Sequence, residues 1–401
     1  MSPLTSTPLR IALVCLHTSP ASDPGIGDAG GMNVVVRNQA IALGALGHTV
    51  EILTRRSSTE QPAETELGEN VTLRFLDAGP AHPVAKGVHE EFVDEFRDRM
   101  EAFGPYDVVH SHHWFSGMAA LPYARERRIP HLQSFHSIAA DHATPLSEGE
   151  RPESPGRLAG EAYLAKESDL VVAISAAEAD TVVRRLGAAP DSVRVVSPGV
   201  DSVLFHPGET GDPAYVVAAG RLDPLKGFDL AIEAISLVPK EKRPELVIAG
   251  EESVDYRDYP DELLALAESH GVGSCVKFVG PQSRSDLAAL LREATIVVVP
   301  SHSETYGLVA LEASASGTPV IAAAAGGLRE AVVDGVTGLV LPSRDAAVWA
   351  AAMVRLLDDR ALASSLSMTA RVRAVGLSWN HSAEALVAVY RSLLAAETAL
   401  H

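Results

Sequence analysis

The sequence predicts an α/β protein built from two doubly wound parallel sheets that face each other across a cleft. Two observations carry this prediction. Short apolar runs typical of buried strands alternate with longer amphipathic segments along the whole chain. At 401 residues, the chain is also longer than one ordinary domain core supports, so two cores are expected.

The strand-like runs fall into two groups. In the first half of the chain they are IALVCL (11–16), VEILT (50–54), VTLRFL (71–76), DVVH (107–110), HLQSF (131–135), LVVAIS (170–175) and VRVVS (193–197), with helical segments at 85–103, 115–127 and 176–186. In the second half they are YVVAAG (215–220), ELVIAG (245–250), CVKFVG (275–280), TIVVVP (295–300) and PVIAAA (319–324). The last segment, 380–400, has an apolar face at helical spacing.

A linker separates the two groups. Residues 200–213 are rich in Pro, Gly and acidic side chains and show no period, which is typical of a connection between domains. We therefore predict a first domain over residues 1–205, a second over residues 206–378 and a C-terminal helical segment over residues 379–401. Because ligands of doubly wound sheets bind beyond the carboxyl ends of the strands, the cleft is the predicted active site.

Composition disfavours several classes of partner. Acidic residues outnumber basic ones by 52 to 33, and the net charge of −19 argues against binding to nucleic acid or to an anionic lipid surface. No apolar run approaches the roughly 18 residues that a membrane span needs, so no stable membrane anchoring is expected. Cys15 and Cys275 lie in separate apolar runs and are expected to be buried thiols, which fits a cytoplasmic protein. The sequence leaves open whether the protein forms a homodimer.

Two loops that follow strands could hold a diphosphate. In GIGDAGGMN (25–33), Gly30 and Gly31 would let backbone amides approach a phosphate at a helix N-terminus. This loop has neither the G-x-G-x-x-G nor the G-K-[ST] spacing, so a plain tight turn stays an equal alternative. In GRLDPLKG (220–227), Arg221 and Lys226 could neutralise a diphosphate leaving group, although a solvated pair on a loop is the alternative.

The motif with the most specific spacing is SETYGLVALEASASGTPVIAAAAGG (303–327), which follows the run 295–300. It separates Glu304 from Glu312 by eight residues. A helix that begins near Thr305 would set Glu304 at its positive end and Glu312 about two turns deeper. The two carboxylates could then accept hydrogen bonds from a donor sugar and from a ribose.

Four histidines lie near strand ends in the first half of the chain: His110, His112, His113 and His136. Clustered histidines suggest zinc, but no cysteine or carboxylate completes a ligand set at a familiar spacing. We predict no metal site, and we expect histidines here to hydrogen-bond sugar hydroxyls.

With GDAGGMN, GRLDPLKG and SETYGLVALEASASGTPV in this order, the chain resembles the retaining glycosyltransferases of family GT4, which have the GT-B fold of two Rossmann-like domains. The resemblance covers essentially the whole chain. GDAGGMNVVV, HSHHWFSGMA and GTPVIAAAAGGL are similar to the actinobacterial members of mycothiol biosynthesis, which move N-acetylglucosamine from UDP to inositol phosphate. The segment that begins near SWN (378–380) resembles the family's C-terminal helix, which crosses back to the first domain.

The resemblance implies a UDP-sugar donor and no cofactor for the chemistry. By its matching positions, the resemblance implies that Arg221, Lys226 and the glycine amides bind the diphosphate and that Glu304 binds the donor sugar. It further implies that Glu312 binds the ribose and that the uracil lies against the backbone near residue 282. The full set of implied donor positions is Gly30, Gly31, Arg221, Lys226, Gln282, Glu304, Tyr306, Gly307, Leu308, Val309 and Glu312. The implied catalytic residues are His136, Glu304, Arg221 and Lys226. Of these, His136 would lie beside the transferred sugar and stabilise positive charge at its anomeric carbon.

The resemblance also implies acceptor positions at Asn33, Lys86, His113, Ser137 and Arg157. Two of them depart from the family pattern, which has tyrosine at the position of His113 and threonine at that of Ser137. Both replacements can still hydrogen-bond, so phosphate binding is expected while the identity of the acceptor stays open.

The resulting hypothesis is a retaining glycosyltransferase that uses UDP-N-acetylglucosamine and a small phosphorylated cyclitol. One alternative is a family member with another acceptor, such as an aminocyclitol, a sugar phosphate or a lipid-linked inositol. The lipid acceptor is disfavoured because segment 85–103 is net acidic, whereas membrane-surface helices are basic. The other alternative is a non-catalytic sugar-nucleotide-binding protein, which the complete set of donor positions disfavours.

Overall fold

The computed structural model describes residues 7–22, 29–140, 156–209, 214–252 and 256–400. It contains the two predicted doubly wound sheets, one in each half of the chain. None of the described helices is long and apolar enough to cross a membrane.

Within the described residues, the first sheet has eight strands: β1 (Arg10–Cys15), β2 (Thr49–Arg55), β3 (Glu64–Gly68), β4 (Val71–Leu76), β5 (Val108–His112), β6 (His131–Ser134), β7 (Leu170–Ala173) and β8 (Val193–Val195). Their order is β3-β4-β2-β1-β5-β6-β7-β8, and only the edge pair β3–β4 is antiparallel among them. The helices of this half are α1 (Gly31–Ala45), α2 (Val93–Met100), α3 (Trp114–Arg127), α4 (Arg157–Glu167) and α5 (Ala176–Thr181). Short 3₁₀ helices cover Lys86–Phe92 and Pro190–Ser192, and a π turn covers Val182–Leu186.

The second sheet has six parallel strands in the part of the chain that the structure describes: β9 (Tyr215–Ala219), β10 (Glu245–Ala249), β11 (Val276–Phe278), β12 (Ile296–Val299), β13 (Val320–Ala323) and β14 (Leu339–Leu341). Their order is β11-β10-β9-β12-β13-β14. The helices that follow are α6 (Phe228–Leu237), α7 (Tyr259–Ser269), α8 (Arg284–Glu293), α9 (Leu308–Ala315), α10 (Leu328–Ala331), α11 (Ala346–Asp358), α12 (Arg360–Gly376) and α13 (Trp379–Leu400), with 3₁₀ turns at Pro224–Lys226 and Gly273–Cys275.

The strand order places the functional loops. In each sheet the order in which successive strands are added reverses between two neighbouring parallel strands, β1 and β5 in the first and β9 and β12 in the second. Loops that leave such a pair diverge to opposite faces of the sheet, which opens a crevice at the carboxyl ends of the strands. The Gly30, Arg221 and Glu304 loops all follow these central strands.

The predicted strands are present to within a few residues, but three local expectations are wrong. The strands β3 and β14 were not predicted, because β3 is a largely exposed edge strand without an apolar run and β14 has three residues. The segment 85–103 is not one helix: its first part is the 3₁₀ helix Lys86–Phe92, which includes the weak helix formers Gly87 and Val88. The helix after Glu304 begins at Leu308 rather than near Thr305.

The last helix, α13, crosses back to the first domain as expected. Leu386 and Tyr390 are buried in the same core as β1, β2 and α1, and Gln39 Nε2 donates to Ser382 Oγ at 3.0 Å. The residue boundaries of the domains stay a prediction.

A second contact ties the domains together at α5. The carboxylate of Glu330, on α10, accepts hydrogen bonds from the amides of Ala176 and Ala177 at 2.9 and 3.0 Å. These amides belong to the first turn of α5 and have no partner within the helix, so the carboxylate also complements the positive end of the helix.

Tyr390 docks α13 through a buried hydrogen-bond chain. Ser134 Oγ donates to the Val172 carbonyl at 2.7 Å and therefore accepts from His110 Nε2 at 3.0 Å. The other nitrogen of the neutral ring, Nδ1, must then accept from the Tyr390 hydroxyl at 2.8 Å. Burial lowers the pKa of His110 to about 3 and raises that of Tyr390, which keeps both groups neutral.

We expect Tyr390→Phe to lower the free energy of unfolding by about 1–3 kcal/mol, because it leaves a buried imidazole nitrogen without a donor. Urea unfolding followed by circular dichroism measures this. Tyr163→Phe is the matched control, since the Tyr163 hydroxyl is exposed and only accepts from Arg125 at 3.4 Å. Equal stability of the two variants would contradict the proposed role of the hydrogen bond.

Candidate active site

The loops after β9 and β12 bring a cation and a carboxylate together. Lys226 Nζ donates to Glu304 Oε1 at 2.6 Å, and Ser301 Oγ donates to the same oxygen at 3.1 Å. The loops also share a backbone bond, from the His302 amide to the Leu225 carbonyl at 2.8 Å. Among the described residues, Glu304 Oε2 makes no hydrogen bond and is free to accept one from a ligand.

Glycines allow the Glu304 loop to pack against the loop before α10. Gly326 has a φ of +47°, and a β-carbon there would lie 2.2 Å from the Glu304 carbonyl oxygen. The Gly327 amide donates to that carbonyl at 2.9 Å. The Gly-Gly pair that ends the long motif is therefore required by a close backbone contact.

The helix α9 points its first turn at the cleft. Its N-cap, Gly307, has a left-handed φ of +102°, which explains why the helix starts at Leu308 and not earlier. A β-carbon built on Gly31 would lie 3.5 Å from Leu308 Cδ1, so the two domains meet here. The amides of Leu308 and Val309 lie in this first turn, whereas Tyr306 is buried and its hydroxyl bonds Arg373 and Ser197. Any contact of Tyr306 with a donor would therefore use its backbone.

The other predicted donor residues lie around the same edge of the sheet. Glu312 is buried, and its Oε1 accepts from Arg284 Nη2 at 2.7 Å. Arg221 Nη2 lies 3.7 Å from Asp223 Oδ2, a loose pair that leaves the guanidinium partly exposed. The side chain of Gln282 folds back onto carbonyls of its own loop.

A cavity of about 580 Å³ opens beside this edge. It is lined by residues at or beyond the carboxyl ends of β9, β10 and β11, among them Leu222, Gly250, Phe278, Gly280 and Pro281. The backbone near residue 282 thus borders a cavity of the size that small ligands need.

In the first domain, the His136 peptide is held from several sides. Its φ of +59° is uncommon for a residue other than glycine. Its carbonyl accepts from Thr305 Oγ1 of the second domain at 2.7 Å, and its Nε2 lies 2.8 Å from His112 Nδ1. Its amide faces the carboxylate of Glu178, and burial raises the pKa of that carboxyl to about 7. The strained conformation is therefore supported by contacts from three elements.

Burial also lowers the pKa of His136 to about 3, so the imidazole is neutral near pH 7. Within the described residues its Nδ1 has no hydrogen-bond partner. A neutral ring and a backbone carbonyl are suited to lie beside a carbon that develops positive charge.

Two residues that were predicted to bind substrates, Gly30 and Asn33, already form hydrogen bonds within the protein. The Gly30 amide donates to Asn33 Oδ1 at 3.0 Å, and Asn33 Nδ2 donates to Thr18 Oγ1 and to the Ser19 carbonyl at 2.9 and 2.7 Å. Asn33 therefore shapes the loop before α1. A donor contact of the Gly30 amide and an acceptor contact of Asn33 stay predictions.

The remaining predicted acceptor residues gather near the carboxyl ends of β1 and β5. Arg157 Nη2 donates to both the carbonyl and the hydroxyl of Ser137 at 3.0 Å, and its Nε donates to Glu161 Oε1 at 2.8 Å. Arg157 and Lys86 both act electrostatically on His113 and lower its pKa, after the larger effect of burial. Arg157, Ser137, Lys86 and His113 thus lie in one neighbourhood.

The histidines do not form a metal site in the described part of the chain, where no group of three or more His, Cys, Asp or Glu side chains could hold an ion. His110 is a structural residue that bonds Tyr390 and Ser134. Cys15 is buried and free, as expected, whereas Cys275 is only half-buried.

Several residues in this region were not predicted from the sequence. Thr305 and Arg284 contact predicted residues directly, and Glu161, Glu178 and His17 lie around them. For Thr305 the sequence offered a clue, its place between the motif residues Glu304 and Tyr306. Arg284 had none, because its partner Glu312 is 28 residues away.

Comparison with known proteins agrees with this architecture. Residues 29–203 match Glycosyltransferase Family 4, and residues 202–373 match Glycosyl transferases group 1. The D-inositol 3-phosphate glycosyltransferase of Saccharomonospora viridis is 39% identical over 97% of this chain and 95% of its own. That of Frankia alni is 40% identical over 94% of this chain and 98% of its own. The chain belongs to glycosyltransferase family 4.

Solved structures place this family 4 enzyme in the GT-B fold. Sucrose-phosphate synthase from Thermosynechococcus elongatus has a TM-score of 0.89 at 30% identity, over 97% of this chain and 100% of that chain. The Anabaena protein Alr3699/HepE, in complex with UDP and glucose, has a TM-score of 0.76 at 19% identity, over 96% of this chain and 100% of that chain. At that lower identity the likeness shows the fold alone. The enzyme is a glycosyltransferase with two Rossmann-like domains, as the sequence predicted.

We expect Thr305→Val in this glycosyltransferase to lower kcat about tenfold, or about 1.4 kcal/mol, because the His136 carbonyl loses its anchor. Thr305→Ser should restore most of the activity. Steady-state kinetics with a thermal unfolding scan of each variant separates this effect from global destabilisation. Thr369→Val is the control, since that hydroxyl bonds only the Ser365 carbonyl on the exposed face of α12. Wild-type kcat in Thr305→Val would show that the anchor is dispensable.

Proposed function

We propose that this enzyme is a retaining glycosyltransferase that moves N-acetylglucosamine from a UDP donor to an inositol phosphate. The observation that carries the proposal is the contact between the two domains at Thr305 and His136. It sets the Lys226–Glu304 pair of one domain against the loop of the other domain that leads toward Ser137 and Arg157. A donor and an acceptor held by these two loops would have their reacting atoms side by side.

The donor assignment is supported by charge and by hydrogen-bonding capacity. Lys226 and Arg221 supply two cations at the carboxyl end of β9, where a diphosphate would lie, in a chain of net charge −19. The free Oε2 of Glu304 can accept from a sugar hydroxyl. The carboxylate of Glu312 keeps one oxygen for ribose hydroxyls while Arg284 holds the other.

The acceptor assignment is supported by the relatives and by the basic residues of the first domain. Both reported relatives are named D-inositol 3-phosphate glycosyltransferases. Lys86, Arg157 and Ser137 provide cationic and hydroxyl donors that suit a phosphate monoester. Because a small phosphorylated acceptor dissolves in water, we expect the reaction to take place in the cytoplasm without membrane anchoring.

For the chemistry we propose that substitution occurs on one face of the sugar. The bond from the anomeric carbon to the diphosphate oxygen breaks as the bond to the acceptor oxygen forms, and the acceptor proton passes to the departing diphosphate. Arg221 and Lys226 would stabilise the negative charge of the leaving group, and the His136 carbonyl the positive charge on the sugar. This route needs no protein carboxylate as nucleophile or base.

Lys226→Ala should lower kcat/KM for UDP-N-acetylglucosamine at least tenfold, which corresponds to about 1.4 kcal/mol, because it removes a cation from the diphosphate. Initial rates over a range of donor concentrations, with UDP release as the readout, measure this. Lys242→Ala is the matched control, since Lys242 pairs with Asp358 on an exposed surface. A Lys226→Ala variant with full activity would mean that the donor site lies elsewhere.

Inositol 3-phosphate should be at least a hundredfold better as an acceptor than free inositol, because the basic pocket gains charge-assisted hydrogen bonds only from the phosphate.

Lys86→Met should remove most of this preference and leave UDP affinity unchanged, while Lys166→Met, at an exposed position on α4, should keep it. Arg157 should be replaced together with its partner, as Arg157→Met with Glu161→Gln, since removing Arg157 alone takes the neighbouring cation from a buried carboxylate. Equal rates with the two cyclitols would overturn the inositol phosphate assignment, and mass analysis of products from other acceptors would then decide between the alternatives.

A further inference from the structure

A cluster of three imidazoles stands beside the predicted acceptor residues. The rings of His17 and His113 have centroids 4.2 Å apart, and that of His89 lies 6.0 Å from His17. Phe115 closes the cluster, with its centroid 4.9 Å from His113 and 5.9 Å from His89. His17 lies just beyond β1, after Leu16. His89 lies in the 3₁₀ helix Lys86–Phe92, and His113 is the N-cap of α3, so three separate elements converge here.

Two of these rings carry unused hydrogen-bonding atoms. His113 is 2% exposed, and neither of its ring nitrogens has a partner among the described residues. The same holds for Nδ1 of His17. Buried polar atoms are nearly always hydrogen-bonded in proteins, so unpaired nitrogens beside a predicted binding site indicate a ligand that supplies the partner.

The described cations around the cluster balance only part of the charge of a phosphate monoester. The described groups that face it are the cations Lys86 and Arg157, the carboxylate of Glu161 and the neutral imidazole of His136. The carboxylate of Glu90 also lies close by, against Gly156. Among the described groups, Glu161 balances the charge of Arg157, so at most one positive charge faces the roughly two negative charges of a phosphate monoester at pH 7.

We propose that the His17–His113 pair takes up a proton when a phosphate-bearing acceptor binds and thereby completes the charge of the acceptor site. In the free enzyme, burial and the cations Lys86 and Arg157 lower the pKa of both histidines, which keeps the pair neutral near pH 7. A bound dianion opposes the field of these cations and favours the charged imidazole. Protonation of one of the two rings gives the pair a further N–H donor toward the phosphate in addition to the charge.

The direction in which acceptor affinity changes with pH follows from the rise in the pKa of the histidine pair on binding. The pKa of the pair is low in the free enzyme and higher in the complex, so binding takes up a proton between these two values. Within that window acceptor affinity falls as pH rises, by up to tenfold per pH unit. The inference rests on the proposed function, because it requires a phosphate at this position.

Calorimetry on the UDP-bound enzyme tests the inference. Inositol 3-phosphate is titrated into the enzyme at pH 7.5, where the phosphate ester is almost fully ionised, in several buffers that differ in ionisation enthalpy. The dependence of the observed binding enthalpy on the buffer's ionisation enthalpy gives the number of protons taken up. We expect uptake of about half to one proton in the wild type and in His82→Gln, whose ring is exposed. His17→Gln and His113→Gln should each lose most of the uptake and bind at least tenfold more weakly. His113→Tyr should bind better than His113→Gln, with no proton uptake, because a phenol donates without gaining charge.

The outcomes separate the two proposals. Binding of inositol 3-phosphate without proton uptake, or uptake unchanged in both glutamine variants, would overturn the histidine inference and leave the acceptor assignment intact. No binding of inositol 3-phosphate, with normal binding of UDP, would overturn both. Inorganic phosphate serves as a second probe, and proton uptake with phosphate alone would support a site that recognises the phosphate group itself.

Discussion

The hydrogen bond between the Thr305 hydroxyl and the His136 carbonyl joins the two halves of the active site. On the Thr305 side, the adjacent Glu304 is held by Lys226 and Ser301, and its carbonyl is held by Gly327. On the other side, His136 keeps an uncommon left-handed conformation. Because both loops are anchored within their own domains, this bond, together with the contact of Glu330 with α5, holds the two loops at a defined distance.

Burial determines the electrostatics of the cleft. His112, His113 and His136 are neutral near pH 7 because desolvation disfavours their charged forms. Among the described residues predicted to bind substrates, those that carry positive charge are Lys86 and Arg157 on the first domain and Arg221 and Lys226 on the second. In a chain with a net charge of −19, these two pairs are local exceptions to the overall acidity. The contact of Glu330 with α5 shows that an acidic residue also joins the two domains.

Local pattern was sufficient for most of the fold and for many of the candidate residues. Apolar runs predicted every central strand because those strands are buried on both faces, whereas β3 was missed because its side chains are exposed. The predicted start of α9, near Thr305, was wrong because Gly307 takes a left-handed backbone conformation, which the spacing of hydrophobic residues does not reveal. Partners such as Arg284 for Glu312 were not predictable, since ion pairing across distant segments leaves no periodic trace.

The sequence by itself determined the α/β class, the two-sheet organisation and the family, because alternating apolar runs and short motifs are local properties of the chain. Only the tertiary structure decided which atoms remain available for ligands. It showed that Asn33 and the Gly30 amide are already bonded to each other and that Tyr306 turns its hydroxyl away. It also showed that, within the described part of the chain, His17 and His113 have nitrogens without a hydrogen-bond partner. The physical reason is that burial and hydrogen-bond saturation depend on every segment that packs around a group, and these segments meet only after folding.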